Sequence, residues 1–159
     1  MKRKELVYCA LGIALVFITT FFIKIPAAHG YFNLGDAIIL LFASILSPLA
    51  SFLLGGIGSC LADLSGGYAQ YALFTLIVKG MEAILVAVLL QRLKWKPILV
   101  FTLAAIWMVV GYFFCDWIIY QQVGVAAAGL LMNSIQGTIC AVIAIVLYPQ
   151  FKRFKKHSS

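Results

Sequence analysis

Charge is scarce in this sequence. Only 11% of its 159 residues are Asp, Glu, Lys or Arg, whereas 64% are hydrophobic and the mean hydropathy is +1.07. A soluble domain of this length usually carries far more charge, so the composition excludes that class. The apolar residues form long runs rather than the alternating pattern of a transmembrane barrel, and backbone groups in hydrocarbon must be satisfied within their own segment. The sequence therefore predicts an all-α integral membrane protein.

Motifs of several other classes are missing as well. The four cysteines stand singly inside apolar runs with no Cys-x-x-Cys pair, which indicates small buried hydrophobes rather than a metal site or a disulfide framework. The sequence contains no His-Glu-x-x-His, no nucleophile elbow and no clustered metal ligands, so we do not expect an enzyme. The net charge of +7 does not indicate nucleic-acid binding, because most basic residues fall at the chain ends and in one loop.

The apolar runs predict six transmembrane helices in a single domain, residues 1–159. At a rise of about 1.5 Å per residue, the longer runs are sufficient to cross the hydrocarbon layer. Small residues in the third run predict close packing of helices there. The predicted helices are Leu6–Ile23, Ala37–Leu46, Leu49–Leu64, Ala72–Leu90, Ile98–Ile119 and Ala126–Leu147.

Basic residues define the orientation. They cluster at the amino end, in the loop after the fourth helix and in the carboxyl-terminal tail, whereas the loops after the first, third and fifth helices contain only Lys24. By the positive-inside rule, both termini are cytoplasmic. We therefore expect a multi-pass protein of a bacterial-type cell membrane.

Polar side chains within the predicted helices occupy their outer halves. Each of the last three helices carries a pair spaced i,i+3 or i,i+4, which places the pair on one helix face. The inner half lacks comparable groups, so the pattern predicts a one-sided polar cavity rather than a pore. Ordinary structural roles remain open, including a Lys79–Glu82 ion pair and interhelical hydrogen bonds. The pairs are Lys79 with Glu82, Tyr112 with Asp116, and Asn133 with Gln136.

The stretch Lys24–Asp36 interrupts the apolar chain. Pro26 and Gly30 oppose helix formation, while the aromatic and polar side chains after them suit a cap over a bound molecule. Asp36 is expected as the N-cap of the second helix, and Asp63 as a carboxylate that fixes a loop at the end of the third. His29 is expected to be a solvated loop residue.

Several sequence blocks resemble the substrate-binding (S) components of energy-coupling factor (ECF) vitamin transporters. They are residues 22–37, 55–64, 67–68 and 75–80. The resemblance implies capture of a vitamin or its precursor from outside, without a cofactor in this chain. It also implies docking on a transmembrane coupling subunit and two subunits that hydrolyse ATP, in agreement with the lack of a phosphate-binding loop motif here. The family's Ala-x-x-x-Ala docking motif matches Ala10 and Ala14.

The block Tyr31–Asp36 most resembles members assigned to hydroxymethylpyrimidine or pyridoxine, with riboflavin and pantothenate as alternatives. A different class also remains open, a standalone proton-coupled carrier that uses Glu82 or Asp116. In the favoured interpretation Phe32 and Asn33 close over the ligand as part of a lid. The predicted substrate-binding residues are Phe32, Asn33, Tyr71, Lys79, Glu82, Tyr112, Asp116, Asn133 and Gln136.

Overall fold

Six helices and one short hairpin make up the fold. The structure is a computed structural model that describes residues 3–26 and 31–158. Five helices are long and apolar enough to cross a membrane, and α2, with nine residues, is shorter. The predicted all-α, six-helix membrane fold is therefore confirmed. The elements are α1 (Arg3–Phe22), β1 (Lys24–Pro26), β2 (Tyr31–Asn33), α2 (Gly35–Ala43), α3 (Pro48–Gly66), α4 (Ala69–Ala87), α5 (Pro97–Tyr120) and α6 (Val123–Ser158).

Local sequence signals account for the helix boundaries around α3. Ser47 is its N-cap, and the serine hydroxyl accepts a bond from the Ala50 backbone N–H at 3.4 Å. Pro48 occupies the first turn, where its missing N–H costs nothing. Gly67 ends the helix in the left-handed conformation, with φ of 83°, which glycine adopts without steric penalty. These residues turn the chain sharply between neighbouring spans.

Three helices end differently from the prediction, and the first is α2, which ends at Ala43 rather than Leu46. Helix α6 continues to Ser158, well past the predicted end at Leu147, because Lys and Arg favour helix as well as apolar residues do. Helix α4 passes into a π-helical turn, Val88–Arg92. That turn carries Gln91, whose amide donates bonds to the carbonyl oxygens of Ala43 and Leu46 at the end of α2. These bonds satisfy backbone groups that the short helix leaves without intrahelical partners.

The predicted irregular loop after α1 contains a β-hairpin. Strands β1 and β2 are antiparallel, with Ile25 opposite Phe32 and Lys24 opposite Asn33. The sequence did not predict these strands, since each has only three residues and the first ends in proline. His29 and Gly30 lie outside the described residues.

Helix α3 packs against both α1 and α4 through its glycines. A Cβ atom on Gly55 would lie 2.6 Å from the carbonyl oxygen of Lys79 in α4, and one on Gly58 would lie 2.8 Å from the Val16 side chain in α1. A larger residue would therefore push the helices apart. This close approach agrees with the packing predicted from the small residues and brings Lys79 beside the centre of the bundle.

The inner half of the bundle is an apolar core. Its buried side chains come from all six helices and leave polar groups concentrated at the opposite end. Large fully buried members include Val16, Ile39, Leu54, Val86 and Phe101. The core thus forms a hydrophobic floor under the polar end of the molecule.

Candidate substrate-binding cavity

A polar cavity lies beneath the hairpin, at the end of the bundle that the positive-inside rule places outside. Its open volume is about 40 Å³. The cavity is small for a ligand site. The cavity is lined by Thr20, Tyr31, Asn33, Ser59, Asp63, Tyr71, Thr75, Lys79, Tyr112, Asp116, Asn133 and Gln136.

A buried charge cluster forms one wall. Lys79 of α4 makes an ion pair with Asp36 of α2, and its Nζ also lies 3.4 Å from Glu82 Oε2. All three residues are at most 2% exposed. The predicted Lys79–Glu82 pair is therefore present, but Asp36 is the closer partner. Two carboxylates share one ammonium, which leaves a formal excess of negative charge.

The predicted N-cap role of Asp36 is wrong. The N-cap of α2 is Leu34, without a side-chain cap bond, and Asp36 lies inside the first turn. Its carboxylate points to Lys79 and to Gln136 instead of back to the helix end. The negative charge still lies near the positive end of the α2 dipole, which stabilises it there.

Gln136 links three elements across the cavity. Its Nε2 donates a hydrogen bond to Asp36 Oδ2 at 2.7 Å, and its Oε1 accepts one from the Asn33 backbone N–H at 2.8 Å. The Asn33 side chain in turn accepts a bond from the Gly35 N–H at 2.9 Å. Helix α6 is thus joined to the hairpin and to the start of α2.

Two tyrosine–aspartate pairs flank the cavity. The Tyr31 hydroxyl of β2 donates to Asp63 Oδ1 at 2.5 Å, and the Tyr71 hydroxyl of α4 donates to Asp116 Oδ1 at 2.6 Å. Burial and the neighbouring Asp63 carboxylate raise the pKa of Tyr31, so its phenol stays protonated and able to donate. Asp63 fixes the hairpin, as its predicted loop-fixing role requires.

Lys24 fastens the outer side of the hairpin. Its ammonium lies 4.9 Å from the ring centre of Phe21, 5.0 Å from that of Tyr31 and 5.4 Å from that of Tyr68. Cation–π contacts of this kind stabilise the position of both strands. The hairpin is therefore held by Lys24 on its outer side and by Asp63 and Gln136 on its cavity side.

Seven of the nine predicted substrate-binding residues line this one cavity; their role in binding stays a prediction. Glu82 does not line it and lies behind Lys79. Phe32 is buried beside the cavity without lining it. The seven are Asn33, Tyr71, Lys79, Tyr112, Asp116, Asn133 and Gln136.

Five lining residues were not among the predicted binding residues: Thr20, Tyr31, Ser59, Asp63 and Thr75. Helical spacing was a usable signal for two of them. Ser59 precedes Asp63 by four residues, and Thr75 precedes Lys79 by four, so each shares a face with a charged residue. Single hydroxyl residues are common in membrane helices, however, and were overlooked for that reason.

The predicted docking residues lie outside the cavity lining. Ala10 and Ala14 are both exposed on α1, next to exposed Leu11 and Ile18. Neither residue lines the cavity, so the predicted docking surface on α1 is separate from the candidate ligand site.

Comparison with known proteins gives a consistent classification. A family model described as "ECF-type riboflavin transporter, S component" matches residues 1–153. The "Thiamine precursor transporter HmpT" of Lactococcus lactis subsp. cremoris is 33% identical over 153 residues, covering 94% of this chain and 89% of the relative. An uncharacterized Pyrococcus woesei protein is 40% identical over 116 residues, 70% of this chain and 78% of that protein.

A solved structure shares the fold. It is described as "Structure and mechanism of the S component of a bacterial ECF transporter", with a TM-score of 0.73 and 17% identity, covering 98% of this chain and 99% of that one. An apolar helical bundle with a polar cavity at one end defines a membrane substrate-binding protein. The family match is more specific: the chain belongs to the S components of ECF-type transporters. The resemblance noted in the sequence is confirmed, and the chain is a transport component, not an enzyme.

Proposed function

We propose that this S component captures hydroxymethylpyrimidine, an aminopyrimidine precursor of thiamine, in the cavity beneath the hairpin. The observation that carries the proposal is the cavity in which seven predicted polar or aromatic residues meet. A small ring can stack on tyrosine while its nitrogen and hydroxyl groups form hydrogen bonds with the side chains around it. The Lactococcus relative, which is named a thiamine precursor transporter, supports a ligand of this class.

Riboflavin is the second candidate, because the matching family is described by that vitamin. The cavity favours the smaller ligand. Its open volume is about 40 Å³, and a tricyclic flavin demands a larger rearrangement of the surrounding side chains than a single ring does. Pyridoxine, also a single ring, remains closer in size to the pyrimidine. Pantothenate carries a carboxylate and would meet the excess negative charge around Lys79.

The S-component family implies association with an ECF module. In our proposal, the chain delivers its ligand across the cell membrane after docking on a coupling subunit through the Ala10 and Ala14 face. Two partner ATPases hydrolyse ATP, and this chain supplies no cofactor. A standalone proton-coupled carrier is less well supported, because Asp116 and Glu82 lie above an apolar core with no polar path through its described residues.

The first test is ligand binding by the purified chain. Isothermal titration in detergent should detect saturable binding of hydroxymethylpyrimidine without ATP or partner subunits. Riboflavin and pyridoxine, titrated in parallel, should bind at least about tenfold more weakly, a difference of about 1.4 kcal/mol. Tighter binding of riboflavin would overturn the pyrimidine assignment.

A further inference from the structure

Asp63 lines the cavity, and one oxygen of its buried carboxylate has no hydrogen-bond partner among the described residues. Asp63 is 3% exposed, and its Oδ1 accepts the hydrogen bond from Tyr31. Its Oδ2 has no hydrogen-bond partner among the described residues. A buried carboxylate oxygen without a donor is unfavourable, so this position suits a ligand that brings a donor.

The cations nearest to Asp63 already interact with other groups. Lys79 is paired with Asp36 and lies beside Glu82, while the Lys24 ammonium rests among three aromatic rings. Thr75 lines the cavity near Asp63, and its hydroxyl lies 3.1 Å from that of Tyr112, where either group can donate; no hydrogen bond between Thr75 and Asp63 satisfies the distance and angle limits for one. No described cation therefore forms an ion pair with Asp63 within 4.0 Å.

Carboxyl groups outnumber ammonium groups among the buried residues around the cavity. Asp63 and Asp116 line it directly, and Asp36 and Glu82 stand behind Lys79, so four buried carboxylates face one buried ammonium. A ligand with a positive or donor-rich group would lower the electrostatic energy of this arrangement, whereas an anionic ligand would raise it. Asp116 already accepts the Tyr71 bond, and Asp63 offers the open acceptor position.

We propose that Asp63 determines specificity by binding the amino group of a heteroaromatic ligand through Oδ2, so that the cavity selects amino-substituted rings and rejects carboxylated ones. This inference rests on the proposed function in taking the cavity as the ligand site. It does not require the pyrimidine ring itself. An exocyclic amine or an ammonium group on another single ring satisfies the same oxygen.

Two matched ligand series test the inference on the wild-type chain. The first compares hydroxymethylpyrimidine with the analogue in which oxygen replaces its amino group. The second compares pyridoxamine, pyridoxine and pyridoxic acid, which carry an ammonium, a hydroxyl and a carboxylate on one ring. In each series that binds, the compound with the amino or ammonium group should bind at least about tenfold more tightly than the compounds without it. Pyridoxic acid should bind most weakly.

A variant then assigns the preference to Asp63. Asp63→Asn keeps the size of the side chain and an oxygen for the Tyr31 bond but removes the charge, so the amino preference should fall to less than about threefold. Cys60→Ala, one turn away on the same helix and outside the cavity lining, should keep the full preference. Thermal unfolding of both variants establishes that they are folded; if Asp63→Asn does not fold, the wild-type ranking decides the question.

The outcomes separate the two proposals. Amino selectivity in the pyridine series with no pyrimidine binding supports the Asp63 site and overturns the pyrimidine ligand. Pyrimidine binding that is indifferent to the amino group, or unchanged selectivity in folded Asp63→Asn, overturns the Asp63 site and leaves the proposed function standing. Failure of both series to bind overturns both.

Discussion

Gln136 is the residue whose contacts extend furthest through the site. Its amide joins the hairpin backbone at Asn33 to the buried carboxylate of Asp36, and the residue is only 2% exposed. Asn133, one turn earlier, also lines the cavity but is less buried and makes no hydrogen bond with another described residue. The two residues were predicted as a pair, yet the structure gives them different roles.

This difference leads to a paired prediction. Gln136→Leu should lower the free energy of unfolding by about 3 kcal/mol, because it leaves a backbone N–H and a carboxylate oxygen buried without their partner. It should also weaken ligand binding, since the hairpin loses its attachment to α6. Thermal unfolding in detergent and isothermal titration measure the two effects.

Asn133→Leu is the matched control. We expect it to weaken binding while leaving the unfolding temperature close to that of the wild type, because no protein hydrogen bond is lost. Equal losses of stability in both variants would contradict the bridging role of Gln136.

The sequence identified the polar residues of the site more readily than the residues with which they form bonds. Polar side chains such as Lys79 and Asp116 stand out in apolar helices, and helical spacing puts them on shared faces. The Asp36–Lys79 pair joins residues 43 positions apart, so only the packing of α2 against α4 reveals it. Local spacing suggested Glu82 as the partner and led to the wrong role for Asp36.

The hairpin lies over the cavity, which its residues Tyr31 and Asn33 help to line. Its strands have three residues each, so pairing between them contributes little, and its position depends on side-chain contacts with the helices. Tyr31 makes the central contact through its 2.5 Å bond to Asp63. The role of this stretch as a lid stays a prediction, and the few bonds that hold the hairpin suit repeated opening.

Tyr31→Phe should loosen this lid. Loss of the phenol removes a hydrogen bond to a buried carboxylate, and we expect ligand dissociation to accelerate by about tenfold. Stopped-flow measurements that follow tyrosine and tryptophan fluorescence give the rate. Tyr68→Phe is the control, because its ring packs on Tyr31 with 4.7 Å between centroids while its hydroxyl bonds to no other described residue. Identical dissociation rates in the two variants would argue against the Tyr31 bond as the latch.

The long helices could be predicted from the sequence, whereas the hairpin and the end of α6 could not, and each of these misses has a local cause. Long apolar runs defined α1, α3, α4 and α5 to within a few residues. The hairpin was missed because two three-residue strands carry almost no pattern, and the end of α6 was missed because hydrophobicity marks the membrane boundary rather than the helix boundary. Hydropathy therefore located the spans but not the lid.

At the scale of the whole molecule, an apolar core lies below the cavity, on the side that the positive-inside rule predicts to be cytoplasmic. That core offers a bound ligand no polar route through the described residues, so inward release in the proposed function requires a larger movement than passage along an internal channel. The one-sided distribution of polar residues was already visible in the sequence. The contacts that hold the hairpin over the cavity were not, because they join residues far apart in the chain.

Inward release in the proposed function therefore depends on a partner, and α1 offers the surface for it. Ala10 and Ala14 are exposed on the helix, and their small side chains permit close approach of another helix. Replacing both with Phe should abolish or strongly reduce uptake by cells that contain the ECF module, because the two helices can no longer approach. Ligand affinity of the purified variant should change less than about twofold, since neither alanine lines the cavity.

Val110→Phe provides the control for a bulky change on a lipid-facing surface. Val110 is 46% exposed on α5, which packs mainly against α4 and α6. We expect normal uptake and normal binding in this variant. If the double Phe variant of α1 loses binding as well as uptake, the alanine face supports the fold and is not a separate docking surface. If only uptake is lost, capture and delivery reside on different surfaces of the same chain, as partner-dependent release requires.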